Sequence, residues 1–333
     1  MIKTAAFLIG LMLGPTPASA ALPVPAAPAA PAAPPLVRHI SYVRDGDVYV
    51  SAGPAEKRLT TGAGYARPRW SPDGKQLAVL RDGQLWTMKA DGTARRRLTT
   101  RPAAAPSWSP DGKWLAFASL SCTGGPGVYR ISATTGPPEV LFPVDCRSEP
   151  LPETTSISAV SSAPASTASV AAASASLVDR LRADDAVAWS PDGKQIAFRG
   201  GECDAIYDAC LSIGTISSGA ERTVAAYGGG SLQNRGFAVL PAWRPDGARL
   251  AFTAYQEGET TAQNEPLHVV EYDPRTGAKR TIGTTLDREP AYLDPTHALV
   301  TARYRNGSWI TLLDLTTGTR TPLHPGSQPT LQP

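Results

Sequence analysis

Histidine, cysteine and methionine are scarce in this chain, at four, four and three of 333 residues. None of them is arranged for chemistry. His39, His268, His297 and His324 stand far apart, with no His-x-His or His-Glu-x-x-His spacing, so no short-range metal signature is present. The cysteines show no Cys-x-x-Cys pair of the zinc or dithiol type. A Gly-x-Ser-x-Gly nucleophile elbow is missing as well. Charge of one sign is also lacking: 32 Lys and Arg oppose 29 Asp and Glu. Arg95-Arg96-Arg97 is the sole cationic cluster and reads as a solvated strand edge, so no nucleic-acid partner is expected. No cofactor is expected either. The apolar stretch Ala5 to Leu13 falls far short of the roughly 20 residues a membrane-spanning helix needs.

That stretch has another reading. Lys3 supplies a positive start, Ala5 to Leu13 an apolar middle, and Ala18-Ser19-Ala20 a small-residue cleavage site, so residues 1–20 are expected to be a signal peptide. Residues 21–36 alternate Ala and Pro, a composition that packs no core and behaves as a stiff tether. No cysteine follows the cleavage site to carry a lipid anchor. The mature chain is therefore expected to be exported, periplasmic or secreted, and monomeric. Cys122, Cys146, Cys203 and Cys210 suit an oxidising compartment. Four cysteines pair in three ways, and sequence does not choose. We favour Cys203–Cys210 as a local loop staple, which leaves Cys122 with Cys146.

What the chain has in abundance is one phrase. Trp70-Ser71-Pro72-Asp73-Gly74-Lys75 returns at Trp108–Lys113 and Trp189–Lys194, and in altered form as Trp243-Arg244-Pro245-Asp246-Gly247-Ala248. Each copy runs into an apolar strand such as Gln76-Leu77-Ala78. Repetition at roughly 40 residues marks units that bury their faces against one another. The phrase is turn chemistry: Pro presets φ, Asp tolerates the next position, and Gly accepts φ > 0. Asp73, Asp111, Asp192 and Asp246 are thus turn formers, not a catalytic carboxylate ring. Trp70, Trp108, Trp189 and Trp243 recur at one position and are read as inter-blade packing.

Parsed from the phrase onward, each unit gives four antiparallel strands, which is a propeller blade. Pro290-Ala291-Tyr292 begins a degenerate fifth unit. Ile40 to Tyr49 and Lys57 to Thr60 supply the last three strands of a sixth. Its first strand is expected from the C-terminus, where Gln328-Pro329-Thr330-Leu331-Gln332-Pro333 echoes Arg67–Pro72. The expected fold is all-β: a six-bladed propeller over 37–333, closed by a C-terminal strand, with a low-complexity insertion at about 147–184.

The Trp-Ser-Pro-Asp-Gly-Lys phrase, with its aromatic third strand and a following Arg-Arg-Leu-Thr, resembles the TolB-type propeller repeat over essentially all of 37–333. TolB itself carries an α/β domain ahead of the propeller, through which it contacts the inner-membrane Tol complex. Here a signal and a tether occupy that place. Prolyl-oligopeptidase relatives join such a propeller to a hydrolase domain, for which this sequence leaves no room. The repeat occurs in many unrelated proteins, so the resemblance implies a fold more than an activity.

One asymmetry points to a site. The loops between second and third strands are tight at Asp45-Gly46, Asp82-Gly83 and Asn306-Gly307. They are elaborated at 119–127, 200–210 and 255–266, and the 147–184 insertion leaves from the same face. Loops longer than a turn requires often carry function. The candidate binding residues are Cys122 and Gly124, then Cys203, Asp204, Tyr207 and Cys210, then Tyr255, Gln256, Glu257 and Asn264. The expected function is non-catalytic binding of another envelope or extracellular protein, or of a surface polymer. The alternative is a propeller enzyme, a hydrolase, lactonase or lyase, with a polar or metal site in the central channel.

Overall fold

The computed structural model describes residues 38–149, 176–182, 185–201, 209–229 and 234–333. The expected signal peptide, the tether and most of the 147–184 insertion lie outside them. The repeated phrase folds as a turn because its own side chains complete it. The Asp73 carboxylate accepts hydrogen bonds from Ser71 Oγ (2.6 Å) and the Lys75 N–H (3.1 Å), and Ser71 Oγ accepts one from the Gln76 N–H (2.9 Å). The turns at Ser109 and Ser190 repeat all three bonds. In the fourth copy Arg244 replaces the serine, and its Nε donates to Asp246 Oδ1 at 2.9 Å. The serine hydroxyl and the following N–H hold Asp73, Asp111 and Asp192 below the usual carboxylate range.

Such turns join strands into six antiparallel sheets of four. The chain begins with β1 (Ile40–Arg44), β2 (Asp47–Ala52) and β3 (Ala55–Arg58). Blade 1 holds β4 (Tyr65–Trp70), β5 (Gln76–Arg81), β6 (Gln84–Lys89) and β7 (Arg96–Arg97). Blade 2 holds β8 (Ser107–Trp108), β9 (Trp114–Leu120), β10 (Pro126–Ser132) and β11 (Glu139–Phe142). After helix α1 (Leu177–Arg182), blade 3 holds β12 (Val187–Trp189), β13 (Gln195–Arg199), β14 (Ala209–Thr215) and β15 (Glu221–Tyr227). Blade 4 holds β16 (Arg235–Trp243), β17 (Leu250–Glu257), β18 (Glu265–Tyr272) and β19 (Lys279–Ile282). Blade 5 holds β20 (Arg288–Tyr292), β21 (His297–Tyr304), β22 (Gly307–Asp314) and β23 (Arg320–Pro325). The last strand, β24 (Ser327–Leu331), pairs with β1 through Ile40↔Leu331 and Ser41↔Thr330, giving blade 6 the order β24-β1-β2-β3. The fold is the six-bladed propeller expected, closed as expected.

First strands of successive blades touch one another around the whole ring and so line its axis. The core lies between the blades. Ala188, Leu211 and Ile213 of blade 3, for example, pack on Ala238, Leu250 and Phe252 of blade 4. Two of the repeated tryptophans add a polar tie. The indole N–H of Trp108 donates to the Arg69 carbonyl (3.0 Å) and that of Trp243 to the Ala188 carbonyl (3.1 Å), each on the preceding first strand. Trp189 instead donates to Gly193 O within its own blade, at 3.0 Å.

The Asp45-Gly46 and Asp82-Gly83 hairpins form with φ > 0 at both residues, as a two-residue turn between right-twisted strands requires. The third tight hairpin lies one residue earlier than expected. Tyr304 pairs with Gly307, which makes Arg305-Asn306 the loop and puts Arg305 at φ +52°. Gly307 belongs to the strand.

Candidate functional site

Five of the six first strands carry a proline two residues ahead of the Trp position or its equivalent. In four of these the residue before that proline is left-handed: Arg67, Leu240, Glu289 and Gln328, with φ between +50° and +60°. Strand pairing slips at each of these positions. A non-glycine residue held there costs on the order of 1–3 kcal/mol, so its surroundings must hold it. Three of the four hold one another. Arg67 Nη1 meets Glu289 Oε1 at 3.1 Å, with both side chains 3% exposed. Glu289 Oε2 accepts from Thr301 Oγ1 (2.6 Å) and the Gln328 N–H (2.8 Å), and Gln328 Oε1 accepts from the Arg67 N–H (2.6 Å). Burial pushes the Glu289 carboxyl up, but Arg67, Arg288, Thr301 and the Gln328 N–H outweigh it and leave the group below its ordinary value.

The other half of the axis is apolar. Ala105 and Ala186 bridge directly, and Leu240 packs with both around Leu181 of α1, which is fully buried. The low-complexity part of the insertion, 156–176, lies almost wholly outside the described residues; its end, over 177–182, is the helix α1, packed on this cluster. Leu177, Val178 and Leu181 fall on one helical stripe, and that spacing was the available signal. At this level the channel is occupied by the protein's own side chains.

The built-up face is organised around a disulfide. Cys122 and Cys146 are bonded, with Cα atoms 5.5 Å apart, tying the β9–β10 loop to the 3₁₀ turn Val144–Ser148 after β11. Two hollows flank this staple. One, of about 640 Å³, lies between blades 2 and 3 and is lined by Thr123, Phe142, Val144, Gly200 and Glu221 among others. The second, of about 380 Å³, is lined by Pro102, Ala104, Leu120, Gly124 and Asp185 among others. They share Gly125 and Pro126. Phe142 and Phe198 stack at 5.2 Å beside the larger hollow. Burial pushes the Asp185 carboxyl up against the pull of Arg199, 2.8 Å away. Leu120 and Val144 are 48% and 37% exposed, two of three large apolar side chains left in solvent among the described residues.

Of the sequence candidates, Cys122 and Gly124 stand at this feature, Gly124 at φ +79° with open space beside it. Cys210 is buried in β14 and is half of a disulfide; its expected partner Cys203 lies outside the described residues, as do Asp204 and Tyr207. The third loop is shorter than expected. Tyr255, Gln256 and Glu257 belong to β17 and are engaged internally: Tyr255 donates to Glu257 (2.8 Å), Gln256 accepts from the Gly228 N–H (2.7 Å), and Arg235 pairs with Glu257 (2.6 Å). Asn264 accepts from the Gly258 N–H at 3.0 Å and closes the remaining loop.

No protein-family profile and no curated protein sequence matches the chain. Solved structures do. TolB from Acinetobacter baumannii superposes with a TM-score of 0.63 at 16% identity, covering 90% of this chain and 68% of that one. The fold is that of a TolB-like propeller. A protein assigned as TolB from Agrobacterium tumefaciens gives 0.56 at 17% identity, covering 87% and 90%. A chain of the nidogen/laminin complex gives 0.57 at 8% identity, covering 89% and 98%. Identities this low establish architecture and leave activity to the site itself.

In this TolB-like propeller the histidines do not converge. His324 meets Glu56 and Ser51, His297 meets Asp294, His268 the Pro266 carbonyl, and His39 Gln332. No group of three His, Cys, Asp or Glu side chains is placed to hold a metal among the described residues. Sequence reasoning missed the axial Arg67–Glu289–Gln328 network, although the shared X-Pro step carried its signal.

Proposed function

We propose that the chain is an exported TolB-like propeller that binds another envelope or extracellular protein without chemistry of its own. The observation that carries this reading is the pair of adjoining hollows beside the Cys122–Cys146 bond, edged by the exposed Leu120 and Val144. A stapled loop loses little conformational entropy on binding, and apolar anchors entering well-formed hollows supply most of an interface's energy. The disulfide supports residence in an oxidising compartment. At the axis, Arg67, Glu289, Thr301 and Gln328 satisfy one another, and the Glu289 carboxylate is fully engaged among the described residues, which favours binding over the enzyme alternative.

The test is capture by in situ cross-linking in the protein's own envelope fraction. The wild-type chain is compared with Leu120→Asp and Val144→Asp. Both substitutions fall on exposed positions and should leave the melt unchanged. A cross-linked partner retained at wild-type yield by the double variant would refute this surface. A cross-link to polysaccharide in place of protein would reassign the ligand class.

A further inference from the structure

Away from that surface, a third hollow of about 300 Å³ opens between α1, the segment leading into β20, and the β21–β22 hairpin. Leu177 and Leu286 give it an apolar side; Arg288, Arg303, Asn306 and Ser308 give it a polar one. Arg288 is 3% exposed. Its Nη1 donates to the Leu286 carbonyl (3.2 Å) and its Nη2 to Ser308 Oγ (2.6 Å), while its Nε is buried without a hydrogen-bond partner. Those bonds fix the guanidinium, and no carboxylate is hydrogen-bonded to it among the described residues. The side chain of Arg303, exposed on β21, makes no hydrogen bond or ion pair with any described residue.

The two described acids flanking Arg288 in sequence are already engaged. Glu289 pairs with Arg67, and Asp287 accepts both Nη atoms of Arg320, the longer contact at 2.7 Å. No acidic side chain lines the hollow among the described residues. Burial holds Arg288 below its ordinary value against the pull of Glu289 and Asp287, and the like charge of Arg180 on α1 adds to the burial effect. Gathering like charges around a recess is unfavourable in the free protein and becomes favourable when an anion enters. We infer that this hollow is a binding site for a small oxyanion, a carboxylate or phosphate group carried on a short apolar body. The volume is at the low end for ligand sites and suits a body of a few carbons. Arg288 is the fixed donor, Arg303 the mobile one, and Leu177 and Leu286 take the apolar part.

The experiment uses the full mature chain and calorimetric titration with sodium hexanoate, inorganic phosphate and hexanol. Hexanoate is expected to bind, and hexanol is not. Arg303→Gln, which breaks no internal bond, should keep the wild-type melting temperature and weaken hexanoate about tenfold or more, the usual effect of losing a charge-assisted hydrogen bond. Leu177→Asp, which sets a carboxylate beside the arginines, should abolish binding. Phosphate bound with the same Arg303 dependence supports the oxyanion site and identifies phosphate as its source. Binding of hexanol as tight as hexanoate, binding unchanged by Arg303→Gln, or no binding of either anion at about 20 mM would each overturn the proposal.

Discussion

Replacing Arg67 by methionine tests the axial network directly. The substitution keeps most of the side-chain volume but removes the guanidinium from Glu289, whose side chain is 3% exposed. The carboxylate would retain only the Thr301 hydroxyl and the Gln328 N–H as donors. Leaving one member of a buried pair uncompensated costs about 3–5 kcal/mol. A ring of roughly 300 residues unfolds with an entropy of about 0.6 kcal/mol/K, so the melting temperature should fall by about 5–8 °C. The measurement is calorimetric melting of the chain at pH 7. The pH dependence supplies a second check. In the wild type Glu289 lies below its ordinary 4.5, so its contribution is full above that pH and is lost as pH falls through the lower folded value. In Arg67→Met the same carboxyl is pushed up by burial, and protonation relieves the penalty. The gap between the two proteins should be widest near pH 7 and narrow towards pH 4. Adding Glu289→Gln should recover part of the loss, since the two sites are coupled. A variant melting within about 1 °C of wild type at pH 7 would remove the pair from any account of stability.

Other outcomes follow from the same structure. Deleting residues 326–333 strips β24 from β1 and takes Gln328 from the axial network; the ring should lose more stability than in Arg67→Met and still melt as one transition, and an unchanged melt would show closure to be dispensable. The Cys122→Ser/Cys146→Ser double variant opens a loop spanning 24 residues, which the chain-entropy relation puts at about 3 kcal/mol, read by denaturant titration without reductant. Trp108→Phe removes the indole bond to Arg69 O, whereas the Trp70 indole N–H is buried without a partner. Trp108→Phe should therefore be about 1 kcal/mol the more destabilising of the two, and equal losses would show that the inter-blade bond contributes nothing net.

The ring was legible because its information is local and repeated. Ser71, Asp73 and Gly74 form their turn from within six residues, and each copy states the strand polarity again. Closure was legible because Gln328-Pro329 repeats the Arg67-Pro68 step. The axial network was not, because its bonds join residues more than 200 apart in sequence, such as Arg67 with Glu289 and Arg67 with Gln328. The first-strand proline was read only as the opening of a unit, as at Pro290, whereas in four of the five cases the residue before it turns left-handed, and in three of these its side chain joins the axial network. The hollows were partly visible as unusually long loops around Cys122 and Gly200. The Phe142–Phe198 wall, the position of Val144 and the buried, unbonded Nε of Arg288 depend on tertiary packing, which no local pattern encodes. Tyr255 to Glu257 misled for the converse reason: a polar run resembled a loop but continued the strand.

An inner strand that comes last in chain order has a consequence for biogenesis. β24 supplies the first strand of the blade that β1 to β3 begin, so those three strands stay incomplete until the far end of the sequence arrives. During synthesis from the N-terminus, the ring cannot shut while any later segment is still threaded elsewhere. If the chain crosses a membrane unfolded, as the proposed export requires, this order builds in a delay, since blades 1 to 5 can form in succession but the circle locks only on release. The tight Arg67–Gln328–Glu289 contact is then the last to be made, and it joins the earliest and the latest folded parts of the molecule.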